Sequence, residues 1–399
     1  MNLNDVSHVV YRALDVINAR SVREFSVPPQ SFVGCGAVAR CGEAMAERGL
    51  NHVFIMVDGF LHQHGIDEGV YRSLQAANIQ YKIITYAGGE PTTQVVEAAA
   101  AQLLDAKCDS VLAIGGGSVL DAAKVTAMLA ANANLQIESL TKPATQLQRR
   151  LPLVAIPTTA GTGSESTNIA VITNAETHQK QLLVHSQLIP DLAIIDANLT
   201  LDIPPFITAI TGIDTLTHSV ETYIAKHAND VTKSLAYRAI TLVGEALPHA
   251  VGQGNNIAAR ESMMLASFMA GMAFSNGGLG LCHAMAHQIG GKYLIPHGMC
   301  NAILLPAVMR FNQLVCKKEF AEIGHALTGK RIEAEETIAA VQQLIYDVGL
   351  TKSLTELGGK SEDMPQLAEA ALQDGCLATN PRTVTKDQVI AVYQDALTV

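Results

Sequence analysis

His283 and His287 stand four residues apart in the segment Cys282–Pro306 (CHAMAHQIGGKYLIPHGMCNAILLP), and His297 follows, so three histidines fall within 15 residues. Side chains four apart on a helix share one face, which brings His283 and His287 close enough to serve a single site. Asp214 and His218 repeat the spacing in Thr211–Tyr223 (TGIDTLTHSVETY). Neutral imidazoles with one carboxylate suit a divalent transition metal of intermediate softness. Imidazole ligands with open positions suit a catalytic ion better than a structural one. The chain has 13 histidines, and any one alone is more often a surface or core residue. Two i,i+4 pairs and a further His in a Gly/Pro loop make a metal centre the better reading, with His283 and His287 as the pair that spacing alone selects. Cys282 and Cys300 flank these histidines, either as ligands or as small buried apolar side chains.

A second chemistry lies upstream. Ser110–Lys124 (SVLAIGGGSVLDAAK) reads as a strand, a glycine-rich turn and a helix start. Gly115, Gly116 and Gly117 let the backbone approach a ligand, and the amides of a helix N-terminus favour an anion, so a phosphate or pyrophosphate fits here. The pattern is neither GxGxxG nor a P-loop, and a tight turn that needs glycines is the rival explanation. Pro157–Thr167 (PTTAGTGSEST) also follows a strand. Its Thr158, Thr159, Thr162, Ser164 and Thr167 offer hydroxyls to a nucleotide, although such residues also cap helices. Asp58 ends the run HVFIMVD. A carboxylate there binds adenosine ribose hydroxyls and repels a 2′-phosphate, favouring NAD over NADP, although an Asp at a strand end is also a common turn former.

These groups need elements to position them. Short β-branched runs at 52–57, 81–86, 110–114, 153–156 and 192–195 alternate with helical patterns at 67–77, 92–106 and 119–131. That alternation predicts a doubly wound, Rossmann-like parallel sheet. After Asp202 the rhythm gives way to long helical patterns at 207–225, 231–245, 258–274 and 332–348. The expected fold class is therefore α/β plus all-α. A dinucleotide-binding domain spans 25–202, an all-helical metal and substrate domain spans 203–399, and a cleft lies between them. Residues 1–24 form a separate extension. In it Val6, Val9, Val10, Ala13, Leu14 and Ile17 make the apolar stripe of an amphipathic helix. Such a stripe fits a partner surface, its own domain or a sister subunit equally well.

Composition narrows the partners. A chain of 399 residues with 48% hydrophobic and 16% charged residues is a well-buried globular protein of more than one domain. A net charge of −10 with scattered Lys and Arg argues against nucleic acid and anionic membranes. The absence of Trp and the 5% aromatic content argue against a stacking platform. No apolar run reaches the roughly 18 residues of a membrane span, and the start lacks the plan of a secretory signal. Seven cysteines without a CxxC pair fit reduced thiols in the cytoplasm.

Four motifs in this order, GGGSVLDAAK, PTTAGTGSE, GIDTLTHSVETY and CHAMAHQ-x8-HG-x2-NAILLP, resemble the iron-dependent (group III) alcohol dehydrogenases over nearly the whole chain. The segments FSVPP, DGFLHQHG, ARESMMLASFMAGMAFS and LGLCHAMAHQ are most similar to the ethanolamine-utilisation branch of that family. Carried over by motif, the resemblance implies Asp214, His218, His283 and His297 as metal ligands, with Fe(II) bound and Zn(II) as the alternative. His287 then becomes a non-ligand close to the substrate. NAD would meet Asp58, Gly115, Gly116, Gly117, Ser118, Asp121, Thr158, Thr159, Thr162, Thr167 and Lys180. Cys300 departs from the small apolar residue usual in relatives, with the implied consequence of oxidation sensitivity beside the metal. Ser166 stands where Val is common.

The activity so implied is hydride transfer between NAD(H) and a short primary alcohol or aldehyde, with acetaldehyde and ethanol as the pair and His287 as proton relay. A homodimer or higher homo-oligomer is implied too. So is a cytoplasmic location inside a protein-shelled microcompartment, with residues 1–20 as the contact to shell or lumen proteins. The alternatives are a glycerol, polyol or 1,3-propanediol dehydrogenase, a non-redox NAD-binding metal lyase of the dehydroquinate synthase type, and a catalytically silent scaffold. A lyase acting on a phosphorylated substrate calls for clustered cations near the metal. Segments 211–223 and 280–300 hold only Lys292.

Overall fold

A computed structural model describes residues 24–132, 135, 137–141, 147–177 and 179–397. The apolar stripe of residues 1–20 lies outside them. The described residues form eight strands: β1 (Gln30–Val33), β2 (His52–Asp58), β3 (Gln80–Tyr86), β4 (Ser110–Gly115), β5 (Leu153–Pro157), β6 (Ile169–Thr173), β7 (Lys180–Val184) and β8 (Leu192–Ile195). Six of them make one parallel sheet in the order β1-β8-β5-β4-β2-β3, and β6 and β7 pair antiparallel as a separate hairpin. Five helices belong to this half: α1 (Cys41–Ala46), α2 (Gly59–Gln63), α3 (Glu68–Ala76), α4 (Thr93–Asp105) and α5 (Gly117–Ala131). Successive strand residues face opposite sides. Phe54, Met56, Val111 and Ala113 pack on α4 and α5. Val53, Ile55, Leu112 and Ile114 pack on α1 and α3. Burial on both faces is why these strands read as unbroken apolar runs.

The five anticipated strands occur, each within one residue of its expected ends. Three were not anticipated, β1, β6 and β7, two of them for a physical reason. Strand β1 has no fully buried residue, and β7 opens with the exposed Lys180 and half-buried Gln181, so neither presents a clear apolar run.

From Pro205 the chain is helical: α6 (Pro205–Ile224), α7 (Asp230–Gly252), α8 (Ile257–Gly277), α9 (Leu281–Tyr293), α10 (His297–Thr328), α11 (Ala334–Asp347), α12 (Met364–Ala371) and α13 (Lys386–Leu397). Helix α6 starts on Pro205, whose fixed φ and missing N–H suit a first turn, and nearly all of it is buried. Two glycines bring the other site helices against it. At Gly278 (φ +85°) the chain bends by 107° between α8 and α9, and a Cβ there would lie 2.5 Å from Thr379. At Gly298 a Cβ would lie 2.1 Å from the Ile210 carbonyl, so only glycine lets the start of α10 sit on α6. By length and composition α10 could cross a membrane. However, 72% of its most apolar stretch is buried within the protein, which makes it a core helix.

Candidate active site

Asp214 and His218 project from α6, His283 from α9, and His297 is the first residue of α10. One atom gathers them. Asp214 Oδ1 lies 3.5 Å from His297 Nε2, 3.7 Å from His283 Nε2 and 3.8 Å from His218 Nε2. Neighbouring ligands of an ion bound at about 2.0–2.2 Å stand about 3.0–3.6 Å apart, so the four donors fit a divalent metal with little movement. Asp214, His283 and His297 form the tight group, and His218 stands at its side, stacked between His283 and Phe274. Asn301 donates to Asp214 Oδ1 at 2.7 Å.

The electrostatics suit cation binding. Burial alone would raise Asp214, but His218, His297 and His283 around it hold it well below the usual carboxylate range. Desolvation pushes His218 down to about 4 and His297 down to about 3, so both are neutral at pH 7 with a lone pair to give. His283 goes the other way. Burial opposes its charge, yet hydrogen bonds to Asp214 and Glu221 raise it to about 9.

Glu221 was missing from the sequence reading. Its Oε2 lies 2.6 Å from His283 Nδ1, and its Oε1 accepts the Cys282 amide at 2.6 Å. A carboxylate on Nδ1 fixes the tautomer that presents Nε2 to a metal. The signal was there: Glu221 lies seven residues beyond Asp214, on the same face of α6.

His287 stands beside this cluster, its ring stacked 5.4 Å from that of His297 but outside the tight group of donors. Its ring centroid is 6.2 Å from that of His283, edge-on, and its Nδ1 lies 2.8 Å from Asp374 Oδ2. Nothing in the spacing pointed to Asp374, 87 residues away. Cys282 and Cys300 also stand outside the cluster, buried against Asn301 and the Ile295 carbonyl. Burial pushes the Cys300 thiol up to about 12.

Most of the residues expected to meet a dinucleotide follow the C-terminal ends of β2, β4 and β5, neighbours in the sheet, whereas Lys180 opens β7 in the separate hairpin. Helix α5 begins at Gly117 with no side-chain cap, which leaves its first amides for an anion. Added Cβ atoms would meet Val119 at 2.7 Å from Gly115 and Thr162 at 2.7 Å from Gly117, whereas Gly116 has ordinary clearance at 3.5 Å from Thr159. Asp58 accepts from the Phe60 and Leu61 amides and so caps α2. Thr158 is buried, its amide bonded to the Gly115 carbonyl.

Three expected contacts already serve the protein itself. Asp121 accepts from Ser164 Oγ at 2.6 Å and from the Val171 amide at 2.9 Å. Thr167 Oγ1 accepts from the buried Lys124 at 3.0 Å. Lys180 forms an ion pair with Glu90, another residue the sequence reading missed.

A cavity of about 230 Å³ joins the two sets: Gly117, Ser118 and Thr162 on one side, the metal cluster and His287 on the other. Phe274, Leu279, Ile169 and Leu182 give it an apolar stretch of wall, and Glu90, Asp121, Ser164, Thr167 and Lys180 also line it. It adjoins an outer cleft of about 1200 Å³, and His287 and His297 border both.

Residues 28–197 match the family described as iron-containing alcohol dehydrogenase, and residues 208–397 match the C-terminal part of the Fe-containing alcohol dehydrogenase family. The chain belongs to the iron-containing alcohol dehydrogenase family. It is 50% identical to the probable alcohol dehydrogenase EutG of Salmonella typhimurium, covering 98% of this chain and 99% of that protein. It is 37% identical to the NAD-dependent methanol dehydrogenase of Bacillus methanolicus, covering 94% and 99%. A solved 1,3-propanediol oxidoreductase superposes with a TM-score of 0.92 at 37% identity, covering 94% of this chain and all of that one. The sheet-plus-helices plan is thus that of the iron-containing alcohol dehydrogenases, and the chain is an oxidoreductase of that kind.

Proposed function

We propose that this enzyme interconverts acetaldehyde and ethanol with NAD(H), with Fe(II) held by Asp214, His218, His283 and His297. The observation that carries the reading is the 230 Å³ cavity, in which an apolar wall sized for a few carbons meets both the donor cluster and the uncapped start of α5. When bound, the metal supplies a Lewis acid for the substrate oxygen and the nicotinamide exchanges hydride with the substrate carbon.

The chain's own groups do the rest. The first amides of α5 hold the pyrophosphate, and the free edge of the Asp58 carboxylate orients the ribose. Glu221 keeps the proton of His283 on Nδ1, so that Nε2 is a ligand. Phe274, stacked on His218 at 4.4 Å, shields that side from water. Asp374 accepts the Nδ1 proton of His287 and leaves Nε2 to take the proton of the alcohol. Because His287 borders both inner cavity and outer cleft, it can pass that proton to solvent.

The charge pattern weighs against the lyase. The two lysines on these walls are already paired, Lys180 with Glu90 and Lys292 with Asp363. Neither is left to grip the phosphate a lyase substrate would bring. The test is NADH oxidation with acetaldehyde by metal-free protein reloaded with Fe(II) or Zn(II) under anaerobic conditions. Turnover with Fe(II), lost in His283→Ala, supports the reading. Turnover with glycerol or 1,3-propanediol only would replace it.

The 50% identity to EutG over nearly the full length also supports a place in ethanolamine utilisation: a cytoplasmic homo-oligomer inside a microcompartment, docked through residues 1–20. Deleting residues 1–20 should leave turnover intact and abolish co-purification with shells. Retained co-purification would remove the targeting role.

A further inference from the structure

Beside the catalytic cluster lies a second group of ligating side chains. His287 Nδ1, a carboxylate oxygen of Asp374 and Cys376 Sγ all lie within 4.8 Å of one another. Two come from one short turn: Asp374 caps Gly375–Thr379, and its Oδ1 accepts the Cys376 amide at 2.9 Å. The third comes from the middle of α9. Cys376 borders the inner cavity, Asp374 the outer cleft and His287 both, so a small ion has a route to all three.

We propose that His287, Asp374 and Cys376 form a second divalent-metal site, suited to a thiophilic ion such as Zn(II), and that filling it inhibits the enzyme. The inhibition rests on the reading of His287 as proton acceptor given above; the binding does not.

Thiolate, imidazole and carboxylate with a fourth position open to a cleft are a tetrahedral zinc set. Zinc distances put such donors about 3.3–3.6 Å apart. His287 Nδ1 and Asp374 Oδ2, now 2.8 Å apart, need to part by roughly half an ångström to meet that spacing. One thiolate and one carboxylate cancel the charge of a dication, which a buried site requires. The sulfur also gives selectivity, because the catalytic set offers only nitrogen and oxygen.

The protons balance as follows. Cys376 releases its thiol proton to solvent as sulfur bonds the metal. His287 gives up the Asp374 hydrogen bond, and its single ring proton moves from Nδ1 to Nε2. That Nε2–H faces the substrate as a donor and no longer accepts the alcohol's proton.

Co(II) is the probe, titrated into the metal-free full-length protein. The catalytic set has no sulfur, so a sulfur-to-cobalt charge-transfer band in the near ultraviolet reports a cysteine-bearing site distinct from it, and Cys376→Ser assigns which cysteine. We expect the band to grow in after the first equivalent is bound, to bleach on adding Zn(II), and to vanish in Cys376→Ser. Asp374→Asn should weaken the site by more than about tenfold and keeps the proposal testable if the cysteine variant is unstable. No band, or a band that persists in Cys376→Ser and so belongs to Cys282 or Cys300, would overturn the site. In parallel, excess Zn(II) should inhibit the Fe(II)-loaded enzyme, with Cys376→Ser resistant by about tenfold or more in the half-inhibiting concentration. A band without inhibition would keep the site and overturn the role given to His287. Inhibition equal in both proteins would overturn the inhibitory function.

Discussion

Nδ1 of His283 lies 2.6 Å from Oε2 of Glu221, so the helix that supplies Asp214 and His218 also orients the histidine that α9 supplies. Helix α6 thus carries two of the proposed ligands and the carboxylate that orients a third.

That relationship gives the first prediction. Glu221→Gln keeps an acceptor for the Cys282 amide and loses the charge that fixes the His283 tautomer. Above about pH 9, where His283 has no extra proton to displace, metal affinity should fall about 10–100-fold while the fold survives. Competition with a chelator measures it; unchanged affinity would mean that Glu221 is only a cap for α9.

The pH dependence of metal binding follows from the same pair. In the metal-free protein His283 is raised to about 9, whereas His218 and His297 lie at about 4 and 3. Above about pH 5 only His283 has a proton to displace. Affinity should therefore rise by about tenfold per pH unit towards pH 9 and then level off. Glu221→Gln should move the levelling point to lower pH. A flat profile between pH 6 and about 9 would contradict the raised value.

Much of this arrangement was legible in the sequence because it is local. Asp214 and His218, one turn apart, had to share a face of α6, and the apolar runs around Val53 and Leu112 had to be buried strands. What was illegible is tertiary. Spacing placed His283 and His287 on one face equally, and their distant partners differ: Glu221 holds Nδ1 of the first and Asp374 Nδ1 of the second. Likewise Asp121 and Thr167 carry the right chemistry for a nucleotide, but Ser164, Val171 and Lys124 already occupy their oxygens. The hairpin of β6 and β7, which walls the cavity, pairs two five-residue strands outside the parallel sheet, a pairing that lies in the tertiary structure.

His287 and His283 should behave differently on substitution. His287→Gln should retain its full metal complement and lose roughly 10²-fold or more in kcat, with little change in KM for NADH. His283→Ala should lose the metal itself. Metal analysis beside steady-state kinetics separates the two, and loss of metal in His287→Gln would return His287 to the ligand set.

Neighbouring glycines in the GGG turn should also differ. At Gly117 a Cβ meets Thr162 at 2.7 Å, whereas at Gly116 the nearest atom is 3.5 Å away. Gly117→Ala should cost about 1–3 kcal/mol, seen as a raised KM for NADH or a lowered Tm. Gly116→Ala should be close to neutral. Gly117→Ala with Thr162→Ser should recover part of the loss, because the serine lacks the methyl that clashes. Equal effects at both positions would mean that conformation, not space, demands glycine there.

Glu165 gives a stability prediction whose sign is opposite to that of most carboxylates. It is 1% exposed, its Oε2 meets no partner among the described residues, and desolvation raises it from 4.5 to about 7, with Lys124 offsetting part of that. A carboxyl raised in the folded state costs nothing below its unfolded value, where both states hold the proton. As pH climbs from 4.5 to about 7 the unfolded chain ionises freely while the folded chain resists, so this group's contribution falls with rising pH. The full loss is about 3 kcal/mol. Glu165→Gln removes the ionisation and should remove the decline. Lys124 keeps its bonds to the oxygens of Thr167 and Ile169. Denaturation midpoints in urea at about pH 5 and about pH 7.5 give the comparison, with a drop in the parent that the variant lacks. An equal drop in both would mean that Glu165 is already ionised in the folded protein, its charge carried by Lys124.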